Sequence, residues 1–278
     1  MKVKFWGTRG SIPAPGKDTI IYGGNTTCLE INLDNGRKVI IDAGTGIRSL
    51  GREFESREDH VDIHLLITHI HWDHIFGFPF FSPIYNSSTR VLVDGYNSCM
   101  KGLRYSFDNK MGDGFFPVRF DELKADIEFI NKLSHGSLDI DGTTIDSALL
   151  HHPQGGLGFR FREDNKTLVF LTDNELDTKE KSFSDFIIFC QGADILIHDS
   201  QYRPEEISEH RGWGHSDYQS TLDLALKANV KKLVLFHHAP ERKDSDIMEI
   251  TVSCQNLIKE KNSHLEIEAA KENSVLVL

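Results

Sequence analysis

The chain has 278 residues, 39% hydrophobic and 10% aromatic, enough to bury a core without covalent staples and too apolar for a disordered polymer. Its 31 Lys and Arg against 42 Asp and Glu leave a net charge of −11 with no basic run, so a long polyanion such as nucleic acid is an unfavourable partner. The opening MKVKFWGTRGS lacks the apolar stretch of a signal peptide, and no window of about 18 apolar residues suggests a membrane span, so a cytoplasmic protein is expected.

Strands are expected at 2–5, 28–33 and 38–41, the last ending in the turn signal DAGTG, followed by a helix at 45–54. Further strands are expected at 61–67, 90–93, 126–130 and 143–149, then a hairpin of 157–161 and 167–171 around the polar turn 163–166. Strand 194–197, helix 216–228, strand 232–236 and helix 245–259 follow, and 275–278 closes a sheet edge. Early hairpin-like strands and later strand–helix alternation give an α/β chain with mixed sheets. No repeat or linker divides it, so one domain spanning 1–278 is expected. The least regular segment, 97–123 with KMGDGFFPVRF at its heart, has the character of a lid or binding loop. The scattered Cys28, Cys99, Cys190 and Cys254 form no C-x-x-C pair, which suits reduced thiols.

Chemistry concentrates in LLITHIHWDH, where His69, His71, Asp73 and His74 follow an apolar strand directly. Imidazoles joined by a carboxylate suit zinc, manganese or iron. Four such groups from one loop exceed what a single catalytic ion with an open position needs, which points to two ions. LLHHPQGG, VFLTDNE and LVLFHHAP place His151 or His152, Asp173, and His237 or His238 in the same strand-end setting. Alternation decides neither histidine pair, because strands buried on both faces lose it. Asp42 in IIDAGTG and Asp199 in LIHDSQY also end strands, where a carboxylate can fix the tautomer of a ligand histidine. In GWGHSDYQ, Ser216 and Gln219 have capping-box spacing. Ser216 is thus expected to begin a helix that lines one face with Tyr218, Leu222, Ala225 and Leu226. His215 would then lie just outside a helix N-terminus, which favours an anion and keeps the imidazole neutral.

His-x-His-x-Asp-His at a strand end, with FWGTRGSIP, YGGNTTC, IIDAGTGIR and LFHHAP in order around it, resembles the metallo-β-lactamase superfamily almost end to end. The resemblance implies an αβ/βα sandwich of two mixed β-sheets flanked by helices, with the metals at one edge. It assigns His69, His71 and His152 to a first ion and Asp73, His74 and His237 to a second, with Asp173 bridging. His152 is taken because it stands six residues before the GFR of the next strand, and His237 because it is the first residue past its own. The cofactors implied are two divalent ions, zinc foremost, with manganese or iron as alternatives.

Oxygen-reducing relatives carry Glu where this chain has His71, and antibiotic-hydrolysing relatives are exported, which leaves hydrolysis of phosphodiesters, thioesters or lactones. A metal-bridging hydroxide is the nucleophile implied. Asp73 and His215 are the candidate catalytic residues, His215 matching a Gly-His-Ser context that relatives use near the leaving group. Asn25, Thr26 and Arg9 lie in loops that relatives place near the metals, as candidate substrate contacts. Phe115 and Phe116 are candidates for stacking on a base or for anchoring their loop. GTRGSIP, GGNTTC, DAGTGIR and FFPV are similar to the cyclic-nucleotide phosphodiesterase branch. The expectation is a dinuclear phosphodiesterase on small substrates such as cyclic nucleotides, working as a homodimer. The alternatives are a tRNA 3′-end endonuclease, whose relatives use an extended basic arm with no counterpart in this sequence, and a non-catalytic metal-binding sensor or interaction module.

Overall fold

The structure, a computed structural model, describes residues 1–55, 61–96, 103–105, 107–109, 111–112 and 114–278. Two seven-stranded sheets face each other. In the first, β1 (Lys2–Gly7) lies between β2 (Cys28–Asn32) and the last strand, β14 (Val275–Val277), all antiparallel. Then come β3 (Lys38–Ile41), β4 (Val61–Ile67), β5 (Thr89–Gly95) and β6 (Asp126–Phe129), parallel from β3 onward. The second sheet has the same design. β7 (Leu138–Ile140), β8 (Thr143–Leu149), β9 (Leu157–Glu163) and β10 (Lys166–Leu171) are antiparallel neighbours. β11 (Ile195–Asp199), β12 (Lys232–Phe236) and β13 (Glu266–Ala269) continue parallel to β10.

The central strands are apolar on both faces because each face has its own cover. Within β4, Leu66 joins Phe5, Ile31, Phe159, Phe170 and Phe236 between the sheets, while Ile63 and Leu65 point the other way. On that outer side they meet α1 (Ile47–Glu55), which buries Ile47, Leu50, Gly51 and Phe54 at helical spacing. The second sheet turns Val169, Leu196 and Leu233 toward α3 (Lys181–Cys190), α4 (Tyr218–Lys227) and α5 (Asp244–Glu260). A helix–sheet–sheet–helix sandwich results, the α/β architecture expected. Among the described residues no helix is long and apolar enough to cross a membrane.

Most expected elements stand within a few residues of their places, and β14 does close an edge. The hairpin turn tightens to Asp164 and Asn165, because pairing runs on to Glu163 and Lys166. Besides helical turns of three or four residues, three described elements have no expected counterpart. α3 carries FIIFC, a short apolar run that suits a strand as well as a helix; β7 has three residues; β13 alternates charge at a sheet edge, its Glu266 and Glu268 facing Lys232. Of the irregular stretch, residues 97–102, 106, 110 and 113 lie outside the described residues, and Cys99 with them. Elsewhere in it Phe107 stacks between Phe78 and Phe120, at 4.3 and 5.5 Å, and Phe116 packs edge-on against Phe80. Phe116 thus anchors its loop, while Phe115 is 76% exposed. Cys28, Cys190 and Cys254 are buried free thiols.

This topology gathers polar residues at one edge of the sandwich. Parallel strands end on a common edge, and β3, β4, β10, β11 and β12 each deliver a polar residue just past their C-terminal ends.

Candidate metal centre

Past β4 the chain turns at Thr68 into the four-residue helix α2 (Trp72–Ile75), with His69 and His71 before it and Asp73 and His74 inside it. The turn leaves His69, Asp73 and His74 buried while Trp72 is exposed. Among the described residues three overlapping groups of donor atoms form, each within 4.8 Å of one another: His69, His71 and His152; Asp73, His74, Asp173 and His237; and His152, Asp173 and His215. Asp173 stands between the first two. Its Oδ2 lies 3.6 Å from His69 Nε2, 3.4 Å from His74 Nε2 and 3.8 Å from His152 Nε2, and its Oδ1 lies 3.1 Å from His237 Nε2.

The structure also separates the adjacent histidines. His152 faces the cluster, whereas His151 sets its ring edge-on against Phe186 at 5.3 Å. His237 faces it too, whereas His238 bonds through Nε2 to the Ala270 carbonyl and packs on Tyr22. Asp173 and His237 both adopt left-handed backbone conformations, with φ of 55° and 56°, which turn the chain sharply off the strand ends.

Four histidines are held by Nδ1, so that Nε2 faces inward. His74 Nδ1 lies 2.7 Å from Asp42, His237 Nδ1 3.0 Å from Gln201 Oε1, His152 Nδ1 3.0 Å from the Gly214 carbonyl and His69 Nδ1 3.1 Å from Thr68 Oγ1. His71 is the reverse: Gln154 Oε1 holds its Nε2 at 2.9 Å, leaving Nδ1 on the cluster side. Fixing one ring nitrogen presets the tautomer a cation needs at the other. Of these partners only Asp42 stands out in the sequence. Gln201 shares LIHDSQY with Asp199 and was open to notice; Thr68, Gln154 and a backbone carbonyl carry no sequence signal.

These residues fit divalent cations. His69 Nε2 and His74 Nε2 are buried with no hydrogen-bond partner, an arrangement that costs free energy unless something accepts their lone pairs. One group offers three imidazoles, another two imidazoles and two carboxylates, donors matched to zinc, manganese or iron. Charge is arranged accordingly. Burial works to raise the Asp173 carboxyl, but His237 and His74 beside it hold it well below the usual range. Burial likewise opposes protonation of His74, yet Asp73, Asp173 and Asp42 carry its pKa well above normal, a carboxylate field that favours positive charge there and that a metal ion would meet in place of the ring proton.

Other expected residues fall differently. Ser216 does not cap α4. Its hydroxyl donates to the Asn174 carbonyl and accepts from Leu176 N–H, and the cap is Asp217, which accepts from Gln219 and Ser220 N–H. An Asp217 carboxylate already occupies those first helix amides, so the helix end is not the anion site the sequence suggested. His215 nevertheless joins the cluster: its buried, unpaired Nδ1 lies 3.9 Å from Asp173 and 3.8 Å from Asp199. Burial pushes its pKa down to about 3. Asp199 therefore faces His215 rather than a ligand histidine, and it accepts from Asn174 and Ser216 N–H. Asn25 and Thr26 bond to Thr45 and Glu272 instead of reaching the ligand side chains. Arg9 is wholly buried, spending its guanidinium on the carbonyls of Gly23, Ala239 and Arg242, and so braces loops rather than meeting substrate.

Comparison with known proteins places this geometry. A family model described as beta-lactamase superfamily domain matches residues 37–238. A protein named Ribonuclease Z from Picrophilus torridus is 22% identical, the match covering 89% of this chain and 88% of the relative. Among solved structures, the metallo-beta-lactamase fold protein YhfI from Bacillus subtilis superposes with a TM-score of 0.72 at 17% identity, covering 99% of this chain and 98% of the other. The short form of human tRNase Z does so with a TM-score of 0.67 at 19% identity, covering 100% and 99%.

Proposed function

The chain belongs to the beta-lactamase superfamily, as a metal-dependent hydrolase of its metallo-β-lactamase fold, and from that premise we propose that it is a phosphodiesterase acting on small substrates such as cyclic nucleotides. The observation that carries the proposal is the pair of donor groups joined through Asp173, with His215 beside them. In this reading His69, His71 and His152 would hold one ion and Asp73, His74 and His237 the other, with Asp173 available as a ligand to either. Divalent ions there would supply Lewis acidity for the phosphoryl oxygens and lower the pKa of a water toward ~7.

The chain's own residues do the rest. Asp42, Gln201, Thr68 and the Gly214 carbonyl keep the ligand rings in one tautomer. Ser11 N–H donates to Asp73 Oδ2 at 2.8 Å and so orients that carboxylate. His215, held neutral by burial, keeps one ring proton to donate toward the departing oxygen, a hydrogen bond that strengthens as charge develops there. The net charge of −11 favours a small diester over a long polyanion. The enzyme acting as a cytoplasmic homodimer belongs to the same proposal.

A second reading, a tRNA 3′-end endonuclease, is favoured by the near full-length match to a relative named Ribonuclease Z. One panel decides between them: a 3′,5′- and a 2′,3′-cyclic nucleotide, an aryl phosphodiester, a precursor tRNA and a lactone, offered to the zinc- or manganese-reconstituted protein. Cleavage of cyclic nucleotides is the expected result. Precursor tRNA cut while they stay intact transfers the assignment to the second reading, and two bound ions without turnover would leave a binding module.

A further inference from the structure

We propose that Glu175 is a positioning residue, whose carboxylate sets the Gly212–Gly214 turn and through it the tautomer of His152 and the place of His215. The inference rests on His152 being a metal ligand, as above. Glu175 follows Asp173 by two residues, and its side chain reaches the loop between β11 and α4. There it accepts from Gly212 N–H at 2.8 and 3.0 Å and from Gly214 N–H at 2.9 Å. Both glycines have φ of 84°, a conformation that costs other residues strain, and the part-buried Gly214 amide relies on the carboxylate for its hydrogen bond.

The position of that turn matters because of what its last residue does. The Gly214 carbonyl accepts from His152 Nδ1–H at 3.0 Å, which leaves Nε2 for the cation. The approach is so close that a Cβ on Gly214 would stand 2.0 Å from His152 Nδ1. His215 is the next residue. The far side of the arrangement is equally tied: Glu175 N–H donates to the His151 carbonyl, and His151 N–H donates to Asn174 Oδ1. Glu175 thus joins the two loops, its backbone N–H holding the loop that carries His152 and its side chain the loop that carries His215. An exposed ion pair in the same region, Arg211 with Asp177 at 3.1 Å, touches neither histidine.

The test compares Glu175→Ala, Glu175→Gln and Asp177→Ala as full-length proteins. Zinc dissociation constants come from competition with a chromophoric chelator, and histidine ring N–H resonances from nitrogen-15-labelled histidine in the zinc-loaded protein. Glu175→Ala is expected to weaken one of two zinc ions by about 10–100-fold and to shift or erase one ring Nδ1–H signal, as loss of an outer hydrogen bond to a ligand does. Glu175→Gln, which keeps one acceptor and turns a donor toward an amide, should fall between. Asp177→Ala should match the wild type. Wild-type zinc affinity with unmoved ring signals in Glu175→Ala would overturn the proposal. Should that variant not fold, the isosteric Glu175→Gln is judged by the same two measurements. Neither readout uses a substrate, so a wild-type protein that binds two ions but cleaves no diester defeats the assigned activity and leaves this inference standing.

Discussion

The Asp42 carboxylate lies 2.7 Å from His74 Nδ1 while accepting from both the N–H and the hydroxyl of Thr68, each at 2.8 Å. Three partners converge on one buried side chain, and two of them belong to the turn that delivers the ligands. Asp42→Ala should therefore lower zinc affinity at the His74 site by about 10–100-fold. It should also cost on the order of 1–3 kcal/mol in stability, since the amide and hydroxyl of Thr68 lose their acceptor. Chelator competition and urea unfolding measure the two effects separately.

Neighbouring histidines should behave oppositely. His237→Ala removes a donor, so elemental analysis should find less than two ions per chain and phosphodiesterase activity should fall by orders of magnitude. His238→Ala removes a buried ring bonded to the Ala270 carbonyl; it should lower the melting temperature and keep the metal content. Equal metal loss in both variants would contradict the assignment. The same contrast is expected for His152→Ala and His151→Ala.

His215 is predicted to matter in proportion to how poor the leaving group is. His215→Ala should slow hydrolysis of an alkyl or nucleoside diester by roughly 10²–10⁴-fold, and that of a nitrophenyl diester much less. An equal loss on both substrates would mean that the ring positions the site without aiding departure.

Stability should decline on mild acidification, and His198 should account for part of it. This ring is buried in β11, with Nδ1–H donating to the Asp199 carbonyl at 2.8 Å, and burial lowers its pKa to about 4. Above the unfolded value of about 6.5 both states are neutral, and the contribution is fully present. As pH falls from about 6.5 toward 4 only the unfolded chain takes up the proton, so stability is lost across that window, by roughly 1–3 kcal/mol at its end. His198→Gln should flatten the stability–pH curve there in proportion; an unchanged slope in urea titrations at several pH values would count against it.

Much of the site was legible because apolar runs broke into His or Asp at strand ends, a pattern a core has no use for. LLITHIHWDH and VFLTDNE announced the candidate donors, and parallel strands brought them to one edge. Which of two adjacent histidines turned inward was not legible. That depends on the left-handed turn at His237 and on Phe186 waiting beside His151. The start of α4 misled for a similar reason. Ser216 and Asp217 are both good caps, and a tertiary contact to Asn174 took the serine. α3 escaped because FIIFC is a short apolar run that suits a strand as well as a helix, although Phe183, Phe186 and Cys190 lie on one helical face, and β13 because a charged edge strand resembles a loop.

The donors come from both halves of the molecule: His69, His71, Asp73 and His74 follow β4 of the first sheet, and His152, Asp173 and His237 follow strands of the second. Neither sheet alone owns a complete cage. Cations would then act as mortar between them, and two separately produced fragments, split after β6, should recombine more tightly in zinc than in a chelator. Such complementation would make the metal an assembly factor for the enzyme as well as its reagent.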